Sequence, residues 1–250
     1  MKPASVSILV PVYNEENTVG QVVSKLARLK FVTEIIAVND GSTDGSLAKL
    51  RAVRSKKLKI IDRRTNEGKT AAIPEAKAAA RGDILVIQDA DLEYDPEEIA
   101  SVIEPITGGY ADVVYGSRFL VKKAARVLYY YHYLANMFLT TLSNLFTNHN
   151  MTDIETCYKA FRAPVLKHMD LTSSGFGMDV EITAMVGALK ARIYEVPISY
   201  YGRTYEEGKK IGMWDGIMAI WYIFKYNLQV RVSRKRKAYL AKVREELAGG

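Results

Sequence analysis

Ile84-Leu85-Val86-Ile87-Gln88-Asp89-Ala90-Asp91-Leu92-Glu93-Tyr94-Asp95-Pro96 runs from an apolar segment straight into a cluster of acids. Four apolar residues in unbroken succession describe a strand covered on both faces, the habit of a parallel sheet flanked by helices. Such sheets place their ligands beyond the carboxyl ends of the strands, so Asp89, Asp91 and Glu93 stand where a ligand would sit. Hard divalent cations take oxygen ligands and keep waters and phosphate oxygens in their shell, and alternating carboxylates at a strand end suit a metal carrying a diphosphate. Asp95 to Glu98 also read as a helix start, with Asp95 as the cap, Pro96 in the first turn and two glutamates at the positive dipole end. That reading leaves Asp89 and Asp91, which precede the cap, unexplained.

Working outward toward the N-terminus, the same grammar recurs. Val6 to Val12 reads as a strand rich in branched residues, and Asn14 is expected to cap a helix carrying Glu15 and Glu16 in its first turn. Glu34 to Val38 is a second strand; the turn Asn39-Asp40-Gly41-Ser42-Thr43-Asp44-Gly45 follows, and Ser42 or Thr43 is expected to cap a helix over Leu47 to Val53. A third pass runs from Leu58 to Ile61 into an alanine-rich helix, Thr70 to Ala80. Strands alternating with helices of this length predict βαβ units and a mostly parallel, Rossmann-like α/β sheet, with the acidic turns at Asp40 and Asp89 on one edge. The units share no sequence similarity, so the chain is not a repeat protein.

Several phosphate-loop lookalikes fail on inspection. Gly68-Lys69-Thr70 ends like a Walker A loop, but Arg63 stands where that loop requires glycine. Gly175-Phe176-Gly177 lacks the last glycine of the dinucleotide fingerprint, which is Val180.

With 250 residues, 48% of them hydrophobic, the chain can bury a sizeable core. The single cysteine, Cys157, excludes an internal disulfide framework and a cysteine zinc cluster, and reads as a small packed residue because no base accompanies it. Any metal is therefore expected on oxygen. The start is too short in apolar residues for a secretory signal, and no run approaches the ~20 that a spanning helix needs. The expectation is a cytoplasmic protein, peripheral on the cytoplasmic face of a membrane. A net charge of +7 points to a polyanionic neighbour, whether nucleic acid, anionic bilayer or phosphorylated ligand.

The second half is less regular. Ala111 to Arg118 is a strand ending in a cation whose planar fork suits a phosphate, with Lys122, Lys123 and Arg126 following. From Val127 to Phe146, aromatic and aliphatic residues recur at helical spacing but are interrupted by His132, Asn136 and Thr140, a pattern for core or for a membrane interface. Asp153-Ile154-Glu155-Thr156-Cys157-Tyr158-Lys159 reads equally as a salt-bridge network or a site cluster. Met178 to Leu189 is expected to be an amphipathic helix, and Arg192 to Ile198 a strand. Residues 200–212, with three glycines, Arg203, Lys209 and Lys210, have the composition of a mobile lid over phosphates. Trp214 to Tyr226 is an apolar, aromatic helix, followed by a basic one carrying Arg231, Arg234, Lys235, Arg236, Lys237, Lys242 and Arg244. Nothing upstream resembles a nucleic-acid module, which sets a nucleic-acid partner aside.

Taken in order, Val10 to Glu15, Asn39 to Asp44, Asn66 to Lys69, Asp89-Ala90-Asp91 and Gly116-Ser117-Arg118 resemble the family 2 glycosyltransferases of GT-A fold. Asp153 to Lys159 and Tyr205 to Ile211 are similar to the polyprenyl-phosphate sugar synthases among them, the dolichyl-phosphate mannose or glucose synthase type. The resemblance implies that Pro11, Tyr13, Glu15, Asn39 and Asp40 hold base and ribose, and that Asp89, Ala90 and Asp91 line the diphosphate. Asp91, with Glu93 and Asp89, would hold Mg2+ or Mn2+. Arg203 with Lys209 or Lys210 would contact the donor diphosphate, Arg118 and Arg126 the acceptor phosphate, and Asp153 and Glu155 would lie beside sugar and acceptor. Asn39 departs from the aspartate frequent at its position, which leaves GDP and UDP donors both open. Residues 1–120 would form the nucleotide-sugar half, 121–212 the acceptor half and 213–250 membrane-associating helices. The implied activity is inverting transfer of mannose or glucose from a nucleotide-sugar to a dolichyl or undecaprenyl phosphate at a membrane surface. Two alternatives stand beside it: a family 2 enzyme that extends a polysaccharide on a sugar hydroxyl, and an inactive nucleotide-binding membrane-adaptor subunit.

Overall fold

In the computed structural model, residues 4–120, 126, 127, 129–175, 177–202 and 213–249 are described. The first half alternates strand and helix as expected: β1 Val6–Val12, α1 Val19–Arg28, β2 Val32–Asp40, α2 Ser46–Ala52, β3 Leu58–Arg63, α3 Lys69–Ala79 and β4 Ile84–Ile87. A short 3-10 turn, Pro96–Glu98, then leads into α4 Ile99–Thr107, and β5 is Val113–Ser117. The second half is mainly helical: α5 Tyr130–Thr147, β6 Lys159–Arg162, α6 Ala163–Lys167, α7 Gly177–Leu189, β7 Ile193–Pro197, α8 Met213–Val232 and α9 Arg234–Ala248.

The seven strands form one sheet in the order β3-β2-β1-β4-β6-β5-β7. β1 pairs in parallel with β2, Ile8 opposite Ile35, and with β4, Leu9 opposite Ile87. β2 and β3 are parallel, as are β5 and β7. β6 runs the other way between β4 and β5. Its reversal matters for function: the start of β6 lies on the same sheet edge as the ends of β1, β2, β4 and β5.

Side-chain alternation along the strands divides the core into two layers. Ile8, Val10, Ile35, Ile84 and Val86 face α1 and α4, through Val22, Val23, Leu26, Val102 and Ile103. Leu9, Ile36, Val38, Leu85 and Ile87 face the other way, toward α3 and the C-terminal helices. Each such side chain, fully withdrawn from water, contributes about 1.5–3 kcal/mol.

Three local expectations are corrected. Asn14 does not cap α1, which begins at Val19; it sits at φ 52°, and its Oδ1 accepts from the Thr43 amide at 2.8 Å. An asparagine tolerates that left-handed backbone and spends its oxygen joining two turns instead of a helix end. Ser42 and Thr43 do not cap α2: Ser42 Oγ accepts from the Asn14 amide, while Asp44 Oδ1 accepts from Ser46 N at 2.9 Å. α7 is not amphipathic in position, because Met178 to Val186 is buried without interruption. Its two acids are sunk in protein and paired, Asp179 with Lys159 and Glu181 with Arg236. Asp95 does receive the Glu97 amide as its cap role predicts.

Candidate active site

Three turns at the carboxyl edge of the first half are stitched to one another. The Asn14 and Glu15 amides donate to Ser42 and Ser46 hydroxyls, and Glu16 Oε2 accepts from Gly45 N. Asp40, 2% exposed, accepts from Arg63 Nη1 at 2.6 Å and from Gly68 N at 2.7 Å. Its carboxylate thus anchors the β3–α3 loop beneath the site. Gly41, at φ +64°, lies so close to that loop that a Cβ would meet Asn66 N and Thr65 C at 2.6 Å. Only glycine fits both constraints. Buried Asn39 donates through Nδ2 to Asp62 Oδ1 at 2.8 Å, while its own Oδ1 has no hydrogen-bond partner. Tyr13 is 38% exposed at the end of β1.

At the end of β4, Asp89 is held by Lys69 at 2.5 Å. Burial opposes charge on both groups, yet their attraction prevails: the Lys69 ammonium is pushed well up and the Asp89 carboxyl down, so the pair stays ionised. Ala90 is buried beside it. Asp91 Oδ1 accepts from the Glu93 amide at 3.1 Å, and Glu93 Oε2 accepts from Tyr200 Oη at 3.0 Å.

Farther along the same edge, Arg118 follows β5 and grips Asp153 in a two-pronged pair, Nε to Oδ2 and Nη2 to Oδ1, both 2.7 Å. Burial disfavours the guanidinium charge, but Asp153, fully buried, more than compensates and raises the Arg118 pKa further. Arg118 Nη2 also reaches Asn136 of α5 at 3.3 Å, and its guanidinium carbon lies 5.2 Å from the Tyr200 ring centre. Tyr200 therefore joins the two sides, accepting the cation on its face while donating its hydroxyl to Glu93. Tyr94 packs at a tilt against Tyr200 and Tyr158, with ring centres 5.3 and 5.4 Å away. Arg126 lies near by, its Nη1 donating to Gly202 O at 2.9 Å. Lys122, Lys123, Arg203, Lys209 and Lys210 fall outside the described residues.

Glu155 occupies the loop before β6, with Oε1 buried and without a partner. Burial first, then the neighbouring Asp179 carboxylate, push its carboxyl up to about 8 against the pull of Lys159 and Arg118. The Cys157 thiol is likewise pushed up, by burial and by Asp89, and is no nucleophile.

Residues 7–170 match the family model described as Glycosyl transferase family 2. The chain belongs to that family. Among its relatives, the dolichol-phosphate mannosyltransferase of Pyrococcus furiosus is 28% identical over 212 residues, 83% of this chain and 59% of that protein. The undecaprenyl-phosphate mannosyltransferase of Micrococcus luteus is 29% identical, over 82% of this chain and 86% of its own length. The chain thus spans about three-fifths of the length of the Pyrococcus relative. A crystal structure of glucosyl-3-phosphoglycerate synthase from Mycobacterium tuberculosis superposes with a TM-score of 0.69 at 19% identity, covering 89% of this chain and 80% of that one. The fold is therefore GT-A. That synthase has been crystallised with Mn2+ or Mg2+ and uridine diphosphate.

No three His, Cys, Asp or Glu side chains are grouped to hold a metal among the described residues. A cation such as Mg2+ binds through one or two carboxylates when a diphosphate and water complete its shell, so Asp91 with Glu93 fits a metal that arrives with its substrate. Asp89 is engaged by Lys69 and fits a supporting place better than a direct ligand. Lys69, Tyr94 and Tyr200 had no assigned role in the sequence reading. Lys69 carried a signal, as the cation ending Asn66 to Lys69, but the tyrosines gave none, since their meeting depends on the β7 strand lying beside β5.

Proposed function

We propose that this chain transfers a hexose, mannose or glucose, from a GDP- or UDP-linked donor to a polyprenyl phosphate at a membrane surface. The observation that carries the reading is the double duty of α5. Its Asn136 touches Arg118, while its Tyr131, Leu134 and Phe138 are exposed, Tyr131 at 82%. α8 packs beside it, Phe146 against Phe224 at 5.1 Å, and exposes Trp214, Trp221 and Leu228. An acceptor whose phosphate enters the site and whose chain remains on an apolar surface matches that arrangement. Exposed apolar area of this extent, rich in tyrosine and tryptophan, is characteristic of interfaces with lipid. The names of the Pyrococcus and Micrococcus relatives support the same acceptor class. Among the described residues no helix is long and apolar enough to cross a membrane.

A phosphate monoester has its second pKa near about 6, is largely ionised at neutral pH and needs no strong base to attack. The protein's work is then alignment and charge stabilisation. Arg118, fixed by Asp153 and Tyr200, orients the acceptor phosphate, with Arg126 beside it. The stitched turns at Asn14 and Asp40 hold the nucleoside, Asn39 offering its oxygen to a base N–H. Lys69 keeps Asp89 ionised beneath the diphosphate. A divalent cation at Asp91 and Glu93 would offset the charge of the departing nucleoside diphosphate. Arg203, Lys209 and Lys210, outside the described residues, would add cations to the diphosphate.

Glu155 favours a second reading, in which a sugar hydroxyl is the acceptor and this carboxylate, poised near 8, is its base. Incubating the protein with nucleotide-sugars, Mg2+ or Mn2+ and short polyprenyl phosphates tests the first reading: product on the lipid phosphate is expected. Transfer only to sugar hydroxyls, abolished in Glu155→Gln, would replace it with the second; no release of nucleoside diphosphate with any acceptor would leave a binding subunit. Arg118→Ala should weaken use of the lipid phosphate more than donor binding, and equal loss of both would remove Arg118 from the acceptor side.

A further inference from the structure

Away from the sheet edge, α9 folds back on α6, α7 and α8 and leaves a cleft of about 710 Å3 between them. Lys225, Gln229, Ser233, Lys235, Arg236 and Lys242 line it. The basic tail is therefore partly enclosed by the fold. Arg236 is 8% exposed and gives Nη2 to Glu181 and Thr172, while its Nη1 finds no partner. Ser233 caps α9, so the positive end of a 15-residue helix also opens here. The acids present are committed: Glu181 to Arg236, Asp170 to Lys235, and Glu246 to His168 at 2.9 Å. Lys225 and Lys242 are left as charge in excess over the cleft's paired ions.

The cleft borders an apolar surface. On α8, Trp214, Ile217, Trp221, Phe224, Leu228 and Val232 form an exposed stripe at helical spacing. Lys225 follows Trp221 by four residues and Gln229 follows Lys225 by four, which places the cleft along one flank of that stripe. Headgroup phosphates lie at this depth relative to a belt of tryptophan and tyrosine.

We propose that the α8–α9 cleft binds the phosphate of an anionic phospholipid, separately from the catalytic edge, and so fixes how the enzyme sits on the bilayer. The assignment rests on the membrane-surface reading above, and its test separates the two. The full chain is floated with vesicles of phosphatidylcholine alone or mixed with phosphatidic acid. Wild type should bind both, and the mixed vesicles roughly tenfold or more tightly. Lys225→Gln/Lys242→Gln should lose most of that increment and keep its binding to phosphatidylcholine. Lys56→Gln/Lys59→Gln, which removes the same charge from the exposed far side of the sheet, should keep the increment. An equal loss in both variants would reduce the effect to net charge and overturn the cleft, as would full retention in the cleft variant. Wild type that binds neither vesicle overturns the membrane reading itself. Thermal stabilisation by inorganic phosphate, seen in wild type and absent from the cleft variant, would then assign the site to a free phosphate in place of a lipid.

Discussion

The two ends of the sheet are built on different principles. From β2 to β4 the strands are mostly buried aliphatic runs, and charges appear near the strand ends, where they tie turns together; β3, at the sheet margin, is half exposed and carries Lys59 and Asp62. From β6 to β7, with the helices behind them, the interior itself carries ions. Lys159 is fully buried against Asp179, Arg236 against Glu181, and Asp112 holds both Arg162 and Arg192. Apolar burial stabilises without specifying partners, whereas a buried ion pair tolerates only its own partner. The first half of the chain is thus held by packing that many sequences satisfy, and the second half by matched charges.

Removing one member of a buried pair tests this contrast most severely. Lys159→Met should cost about 3–5 kcal/mol, and Lys159→Met/Asp179→Leu should recover most of it, because the double variant leaves no uncompensated ion. A single-variant loss below about 1 kcal/mol in chemical denaturation would erase the distinction. Asp91→Asn probes the opposite corner. On the proposed metal role, turnover should fall about 100-fold or more with the melting temperature unchanged, since asparagine keeps an oxygen to accept the Glu93 amide. Undiminished turnover would remove Asp91 from the site.

Glu155 gives the contrast a pH signature. The folded protein keeps this carboxyl protonated up to about 8, while the unfolded chain releases the proton near its ordinary value of 4.5. Between those values the folded state holds more protons, so stability contributed by the acid form is lost as pH rises toward 8. Glu195, also raised by burial, acts in the same direction. Glu155→Gln should therefore make the decline shallower by on the order of 1–2 kcal/mol across that window, measured as unfolding free energy against pH. A parallel curve would show Glu155 to be ionised in the fold. The smallest effect belongs to the packed half: Ile8→Val should cost about 1 kcal/mol, with no change in pH dependence.

The same contrast explains what could be read in advance. β1, β3 and β4 follow from their apolar runs, and the acids at Asp40, Asp89 and Asp91 follow from lying just past strand ends. β6 is harder to read, because Lys159-Ala160-Phe161-Arg162 carries cations at both ends, which are tolerable in the sheet once Asp179 and the Ile154 and Thr156 carbonyls meet Lys159 and Asp112 meets Arg162. Asp179 and Glu181 suggested a solvent face on α7 for the same reason: a charge read without its partner looks exposed. Asn14 misleads differently, since a good capping residue is used to join two turns 29 residues apart in sequence. Arg118 was recognised as a phosphate-binding candidate, but its fixed pose depends on Asp153, Asn136 and Tyr200, which no local pattern brings together.

The reversed strand has one more consequence. β5 leaves the sheet at Ser117 and β6 re-enters it at Lys159, with Tyr115 opposite Lys159, so the chain between them departs from and returns to a single edge. The segment between them, which holds α5, is in effect a cassette: its anchor points lie side by side, and its exchange requires no rethreading of β1 to β4. On the proposed division of labour, chimeras exchanging it between relatives should alter acceptor choice while donor choice is held constant.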